Sequence, residues 1–255
     1  MTVRYLALMT ALLLSSGLAQ AQTAAEHIAL GDQAYDRLEA AQALQHYEAA
    51  LAADSTQYEA LWKASRQYSD LAEYEADKAK REEMYVTAER LARRAVAVDS
   101  VDAEGHFNLA RALGRVALSV GVRDRIKYAR DIRSHALRAL EDDPNHPGAL
   151  HVLGVWNAEV MRLSGFSRWM ARNFLGGSVF KEASWQNARE YLEKATEVDP
   201  DRAVHNLDLA RVYLDIKERD KAREQLQRVI DARVTDYNDR HYKEEATALL
   251  QELSG

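Results

Sequence analysis

The chain has 255 residues with only 3 Pro, 11 Gly and no Cys, which excludes a disulfide framework, a thiolate metal site and a lipoprotein anchor. Few breakers and abundant Ala, Leu, Glu, Arg and Gln argue for an almost wholly helical polypeptide with short connections. Its formal net charge of −6, with both signs interspersed, offers no basic face and so no support for nucleic-acid binding.

Residues 1–21 read as a secretory signal peptide rather than as part of the fold. Arg4 supplies a thin positive start, Leu6 to Leu14 an apolar run, and Ala19-Gln20-Ala21 a small-residue cleavage site before Gln22. The apolar stretch is short for a bilayer span. An exported chain without cysteine suggests a bacterial periplasm, or secretion, with membrane contact at most peripheral; an uncleaved anchor is the alternative.

From residue 22 onward the sequence repeats itself. Leu30, Gly31, Ala43, Tyr47, Ala50 and Asp54 stand at the offsets of the tetratricopeptide (TPR) helix-turn-helix, in which small residues let two antiparallel helices approach closely. Ser65, Ala88, Ala95 and Asp99 mark a second copy, and Leu109, Ala110, Ala139, Asp143 and Pro144 a third. Leu153, Gly154, Ala188, Ala195, Asp199 and Pro200 mark a fourth, while Leu209, Ala210, Tyr213, Ala222 and Leu226 make a fifth. Tyr237 to Leu253 then reads as one amphipathic helix, a solvating cap. The fold class is therefore all-α: a TPR-like α-solenoid of about five antiparallel helix pairs plus a C-terminal capping helix, one domain over 22–255.

The spacing of the copies is uneven. Their closing positions Ser55, Ser100, Pro144 and Pro200 lie 45, 44 and 56 residues apart, against a TPR norm of about 34. The surplus predicts lengthened helices in the second and third pairs and a helical insert between the helices of the fourth, at about 160–182.

No catalytic pattern emerges. The chain lacks a G-x-S-x-G elbow, a phosphate-cradling Gly-rich loop and H-E-x-x-H. His241 and Glu245 lie four apart, but two ligands do not make a metal site. Glu82-Glu83 and Asp142-Asp143 have no partner of opposed pKa and are poor acid–base candidates. The expectation is no enzyme, no cofactor and no metal.

The first helix of each pair should line the concave side, where positions four apart project together. That register gives Ile28 and Asp32, Trp62 and Arg66, Phe107 and Arg111, His151 and Val155, and Leu207 and Arg211. Three arginines, each four residues after a large apolar residue, would rim an apolar floor and suit a ligand that is apolar along its length and anionic at intervals. Such an Arg111 would be a solvated groove residue contributing little to folding. The competing expectation is that Arg66, Arg111 and Arg211 pair with acidic neighbours while Trp62 and Phe107 pack between repeats.

The insert concentrates Phe166, Trp169 and Phe174 with Arg162, Arg168 and Arg172 and no acidic residue. It suits a plug completing the core, a roof over an apolar cavity, a partner seat or a membrane-surface helix. Two ligand classes follow. The first is a peptide or partner protein in the concave groove. The second is an anionic lipid or other amphiphile in a cavity walled by Trp156, Phe166, Trp169 and Phe174, its head group met by Arg111, Arg168 or Arg172.

The string PNHPGALHVLGVWNAEVMRLSGFSRWMARNFLGG, followed by SWQNAREYLEKATEVDP, resembles the regulator-of-microtubule-dynamics family over about residues 103–222. Leu153, Gly154, Trp156, Leu163, Ser164 and Phe166 match that family's leucine-glycine-x-tryptophan helix and the leucine-serine-aromatic turn after it. Ala188, Leu192, Lys194, Ala195, Glu197 and Pro200 match its next helix. The resemblance implies a TPR-like, non-enzymatic adaptor; members are associated with microtubules and organelle contact sites, and one member type with phospholipid binding and transfer. The export signal departs from the family, as does Ser178-Val179-Phe180, where a proline-containing turn is usual.

Overall fold

The computed structural model describes residues 22–165 and 178–253, so the signal-peptide segment and most of the insert lie outside the described residues. Within them, five antiparallel helix pairs follow one another: α1 (Ala24–Asp36) with α2 (Ala40–Ala53), α3 (Tyr58–Glu73) with α4 (Lys78–Val98), α5 (Ala103–Ser119) with α6 (Val122–Asp142), α7 (Pro147–Arg162) with α9 (Trp185–Val198), and α10 (Ala203–Asp215) with α11 (Arg219–Asp231). A single turn of helix, α8 (Ser178–Lys181), precedes α9, and α12 (Asp239–Glu252) ends the chain. The surplus residues fall where the spacing places them. Helices α4 and α6 each run 21 residues, and the long connection separates α7 from α9. Among the described residues there is no strand.

The small residues at the repeat offsets are the helix contacts. Ala43, Ala50, Ala88, Ala95, Ala139, Ala188, Ala195 and Ala222 are all fully buried. Gly31 faces the ring of Tyr47 so closely that a Cβ would lie 2.4 Å from it, and Gly148 meets Phe107 in the same way. The closing acids have a local purpose. Asp54 accepts from the Thr56 amide at 2.9 Å, Asp99 from that of Val101 at 2.9 Å and Asp143 from that of Asn145 at 3.0 Å. Each carboxylate thus satisfies the backbone where one pair turns into the next. Helix starts are fixed alike: Thr23 and Glu26 form a capping box on α1, and Asp77, Asp102, His146 and Ser184 cap α4, α5, α7 and α9.

The last helix caps the stack, packing Tyr242 and Ala246 on Leu207, Leu226 and Val229 and leaving Arg240, Glu244 and Gln251 exposed, but it also reaches further back. The loop before it and its first turns fold inward, burying Asp236, Asn238, Asp239 and Tyr242. Asn238 donates its amide to the Asp70 carbonyl at 3.0 Å, Tyr242 donates to Glu73 at 2.8 Å, and the Tyr35 hydroxyl donates to Asp236 at 3.3 Å. The C-terminal segment is therefore clasped to α1 and α3, far back in sequence, and the superhelix closes on itself.

Candidate functional site

The concave side holds a half-open chamber of about 620 Å³, to whose lining the C-terminal helix adds Tyr242 and Glu245. Phe107, Ala110 and Gly114 of α5, Ala129 and Ile132 of α6, and Val152, Val155 and Trp156 of α7 form its apolar wall. Phe180 of α8 stacks on Trp156 at 6.2 Å and is buried. The Trp156 indole donates to the Ala129 carbonyl at 2.7 Å, which satisfies its one polar atom and fixes the ring. Charged groups from α3, α5, α10 and α12, among them Arg66, Arg111, Asp208 and Glu245, line the chamber as well.

The expected contact residues divide sharply. Arg66, Phe107, Arg111, His151, Val155, Trp156 and Arg211 all line the chamber. Trp62 does not; it packs against the first core, beside Leu61 and Tyr47. Ile28 and Leu207 are core residues as well, buried against Ala50 and Ala60 and against Leu226 and Val229 respectively. Asp32 is engaged by the Tyr47 hydroxyl and the Lys63 ammonium, each at 2.8 Å. Phe166, Arg168, Trp169, Arg172 and Phe174 lie outside the described residues. The two described ends of the insert, Val160 and Phe180, are core packing.

Arg111 is not a solvated groove arginine. It pairs with Asp70, which is 1% exposed. Arg115, one turn on, pairs with Glu73 at 2.6 Å, and Arg202 with Asp236 at 2.7 Å. Burial raises the Asp70 carboxyl above its ordinary range despite Arg111. For Asp236 burial pushes the same way, but Arg202 and Arg111 outweigh it and hold the group low. Arg211 bonds Asp208 at 2.5 Å and also Glu245, while His151 meets the other Asp208 oxygen at 2.8 Å. Burial alone would raise Asp208; the His151 hydrogen bond and the Arg211 charge instead hold it well below the carboxylate range.

Arg115, Arg202, His205, Asp208 and Tyr242 all line the chamber and were invisible to the repeat register. Their only sequence signal is polarity at positions that fall on buried helix faces. Among the described residues no group of three or more His, Asp or Glu is placed to hold a metal ion, and no helix is long and apolar enough to cross a membrane.

The histidines make the fold sensitive to acid. His106 and His135 bring their Nδ1 atoms within 2.9 Å, room for one shared proton, while His106 Nε2 lies 3.0 Å from the Ser100 carbonyl. Burial, then the charge His106 would carry and that of Arg93, lowers the His135 pKa from the ordinary 6.5, against the pull of Asp131. Burial, with His151 and Arg202 adding to it, drives His205 well below the same value, though Asp208 opposes them. Below about pH 6.5 the unfolded chain therefore binds more protons at these sites than the folded one, so stability falls as the pH drops. The thermal midpoint should be several degrees lower at pH 5 than at pH 7.5, with His205→Gln flattening the slope; a midpoint constant over that range would disprove this account.

Paired antiparallel helices that meet through small residues and stack in chain order define a TPR-like helical solenoid. A thermophilic TPR protein of Thermus thermophilus superposes with a TM-score of 0.64 over 88% of this chain and 99% of its own, at 19% identity. The chain belongs to the family described as regulator of microtubule dynamics protein 1-3, whose model matches residues 27–254. It is 26% identical over 207 residues to regulator of microtubule dynamics protein 1 of Bos taurus, covering 79% of this chain and 63% of that protein. It is also 26% identical over 140 residues to regulator of microtubule dynamics protein 3 of Rattus norvegicus, covering 55% and 29%. The chain thus spans under two-thirds of the length of these relatives.

Proposed function

We propose that this protein is a non-enzymatic scaffold that seats an acidic, apolar-rich peptide segment of a partner protein in its half-open concave chamber. The observation that carries this reading is the mixed lining: apolar Phe107, Trp156 and Phe180 together with arginines of which, among the described residues, Arg66 alone holds no carboxylate. Apolar burial supplies the affinity of such a seat, and Arg66, an arginine with no carboxylate of its own among the described residues, its preference for an acidic residue. Part of the same reading is work outside the cytoplasm, supported by the Arg4, Leu6 to Leu14 and Ala19-Gln20-Ala21 pattern.

Native mass spectrometry with lipid extraction, on the chain isolated from its own cells, tests the reading. The expected result is a stoichiometric protein or peptide partner, on a chain whose N-terminus is Gln22. A stoichiometric phospholipid or fatty acid in its place would overturn the peptide assignment in favour of an amphiphile carrier. An N-terminus at Met1 would remove signal-peptide cleavage from it.

A further inference from the structure

The chamber's arginines are not equivalent. Arg111, Arg115, Arg202 and Arg211 each hold a carboxylate, and Arg125 and Arg162 both meet Glu159. Among the described residues Arg66 holds none. Its guanidinium lies over the Tyr35 ring at 3.9 Å from the centroid and 5.3 Å from that of Trp62, and its Nε is buried without an acceptor. Aromatic faces orient a guanidinium and attract its charge, but they supply no acceptor for its N–H groups. A half-buried guanidinium left this way is costly unless something completes it.

We infer that Arg66 is the anion-binding element of the chamber and that it takes a single carboxylate from the bound segment. This inference rests on the peptide reading above. Asp70 lies one helical turn after Arg66 but makes no hydrogen bond to it; its Oδ1 is given to Arg111 and its Oδ2 has no partner among the described residues. Burial favours a proton on that carboxyl, which further reduces what it offers Arg66. The edge of the fork that the two rings leave uncovered is shaped for a planar carboxylate held bidentately.

Hexanoate is the simplest probe that combines this anion with an apolar tail, and the Arg66 Nε–H resonance and Trp62 fluorescence both report on the site. In the full chain, hexanoate should shift the Arg66 Nε–H signal saturably, and Arg66→Gln should weaken binding by about tenfold or more, the loss of one charge-assisted bidentate contact. Hexanamide should bind at least about tenfold more weakly than hexanoate, and hexyl phosphate should not bind more tightly. Because Arg66 has no ion pair to lose among the described residues, the variant should melt within a few degrees of the parent. Equal binding of hexanoate by Arg66→Gln, equal binding of hexanamide, or no hexanoate binding at all would overturn the assignment and leave the peptide reading standing. Tighter hexyl phosphate would overturn the carboxylate. A partner captured equally by parent and Arg66→Gln would also defeat the inference alone, whereas capture of lipid in place of any partner defeats the peptide reading while hexanoate still reports on Arg66.

Discussion

Gly154→Leu is expected to unfold the fourth helix pair. A Cβ on Gly154 would lie 2.5 Å from Leu192 Cγ and 3.1 Å from the Ala188 carbonyl oxygen. Leu192 and Ala188 are fully buried, and a backbone oxygen cannot swing aside. Overpacking a core by a methylene or two costs roughly 1–3 kcal/mol; a whole leucine wedged between α7 and α9 exceeds that range. With each kcal/mol worth about 2–4 °C in a domain of this size, the melting temperature should fall by about 10 °C or more, and amides of α7 and α9 should exchange first. Gly114→Ala is the counterpart. Gly114 sits in α5, and among the described residues an added methyl would meet no atom within 4 Å, so the substitution should stabilise by up to about 1 kcal/mol through helix propensity alone. If Gly154→Leu melts like the parent, α7 and α9 do not pack as described.

Most of the fold was legible in the sequence because close helix packing leaves a local imprint. Where two helices touch, only Gly or Ala fits, and that demand recurs at fixed offsets at Gly31, Ala43, Ala88, Ala139, Gly154, Ala188 and Ala222. The acids closing each pair are legible for the same reason, since an Asx turn uses neighbours in sequence. Closure by the C-terminal segment left no such imprint. Asn238 and Asp70 are 168 positions apart, and helical periodicity says which face of a helix is apolar, not which distant helix a polar turn will bond. A run such as Thr235-Asp236-Tyr237-Asn238-Asp239 reads as a solvated turn; burial of its Asp236, Asn238 and Asp239 follows from the curvature of the whole stack.

The site was legible in part for a related reason. Counting from the small-residue positions placed Arg66, Phe107, Arg111, His151 and Arg211 on the inner side, and all five line the chamber. The same count put Trp62, Ile28 and Leu207 there, but they turn into the core. Residues at one offset diverge in fate because each unit is rotated relative to the last, so one position faces the lumen in the third pair and a neighbouring helix in the fifth. Charge pairing was the less legible part. An arginine on an inner face reads identically whether its carboxylate comes from a ligand or from Asp70.

Arg111→Glu therefore carries a large expected effect on folding, opposite to that of an arginine free in a groove. The substitution sets a second carboxylate against Asp70, itself 1% exposed, with Glu73 and Asp236 close by in the same cluster. Removing one partner of a buried ion pair costs about 3–5 kcal/mol, and inserting a like charge adds repulsion to the lost attraction. The variant should melt at least about 10 °C below the parent, and loss of ligand binding by it would report unfolding as much as recognition. Arg111→Ala separates the two contributions. It leaves Asp70 buried and unpaired, so the carboxyl, already raised by burial, rises further and takes up a proton more readily in the folded chain than in the unfolded one. Stability from that proton is present at low pH and lost as the pH rises through the raised pKa. The Arg111→Ala deficit relative to the parent should consequently shrink on going from pH 7.5 toward pH 5. A deficit that stays constant over that range would mean that Asp70 is not the group Arg111 neutralises.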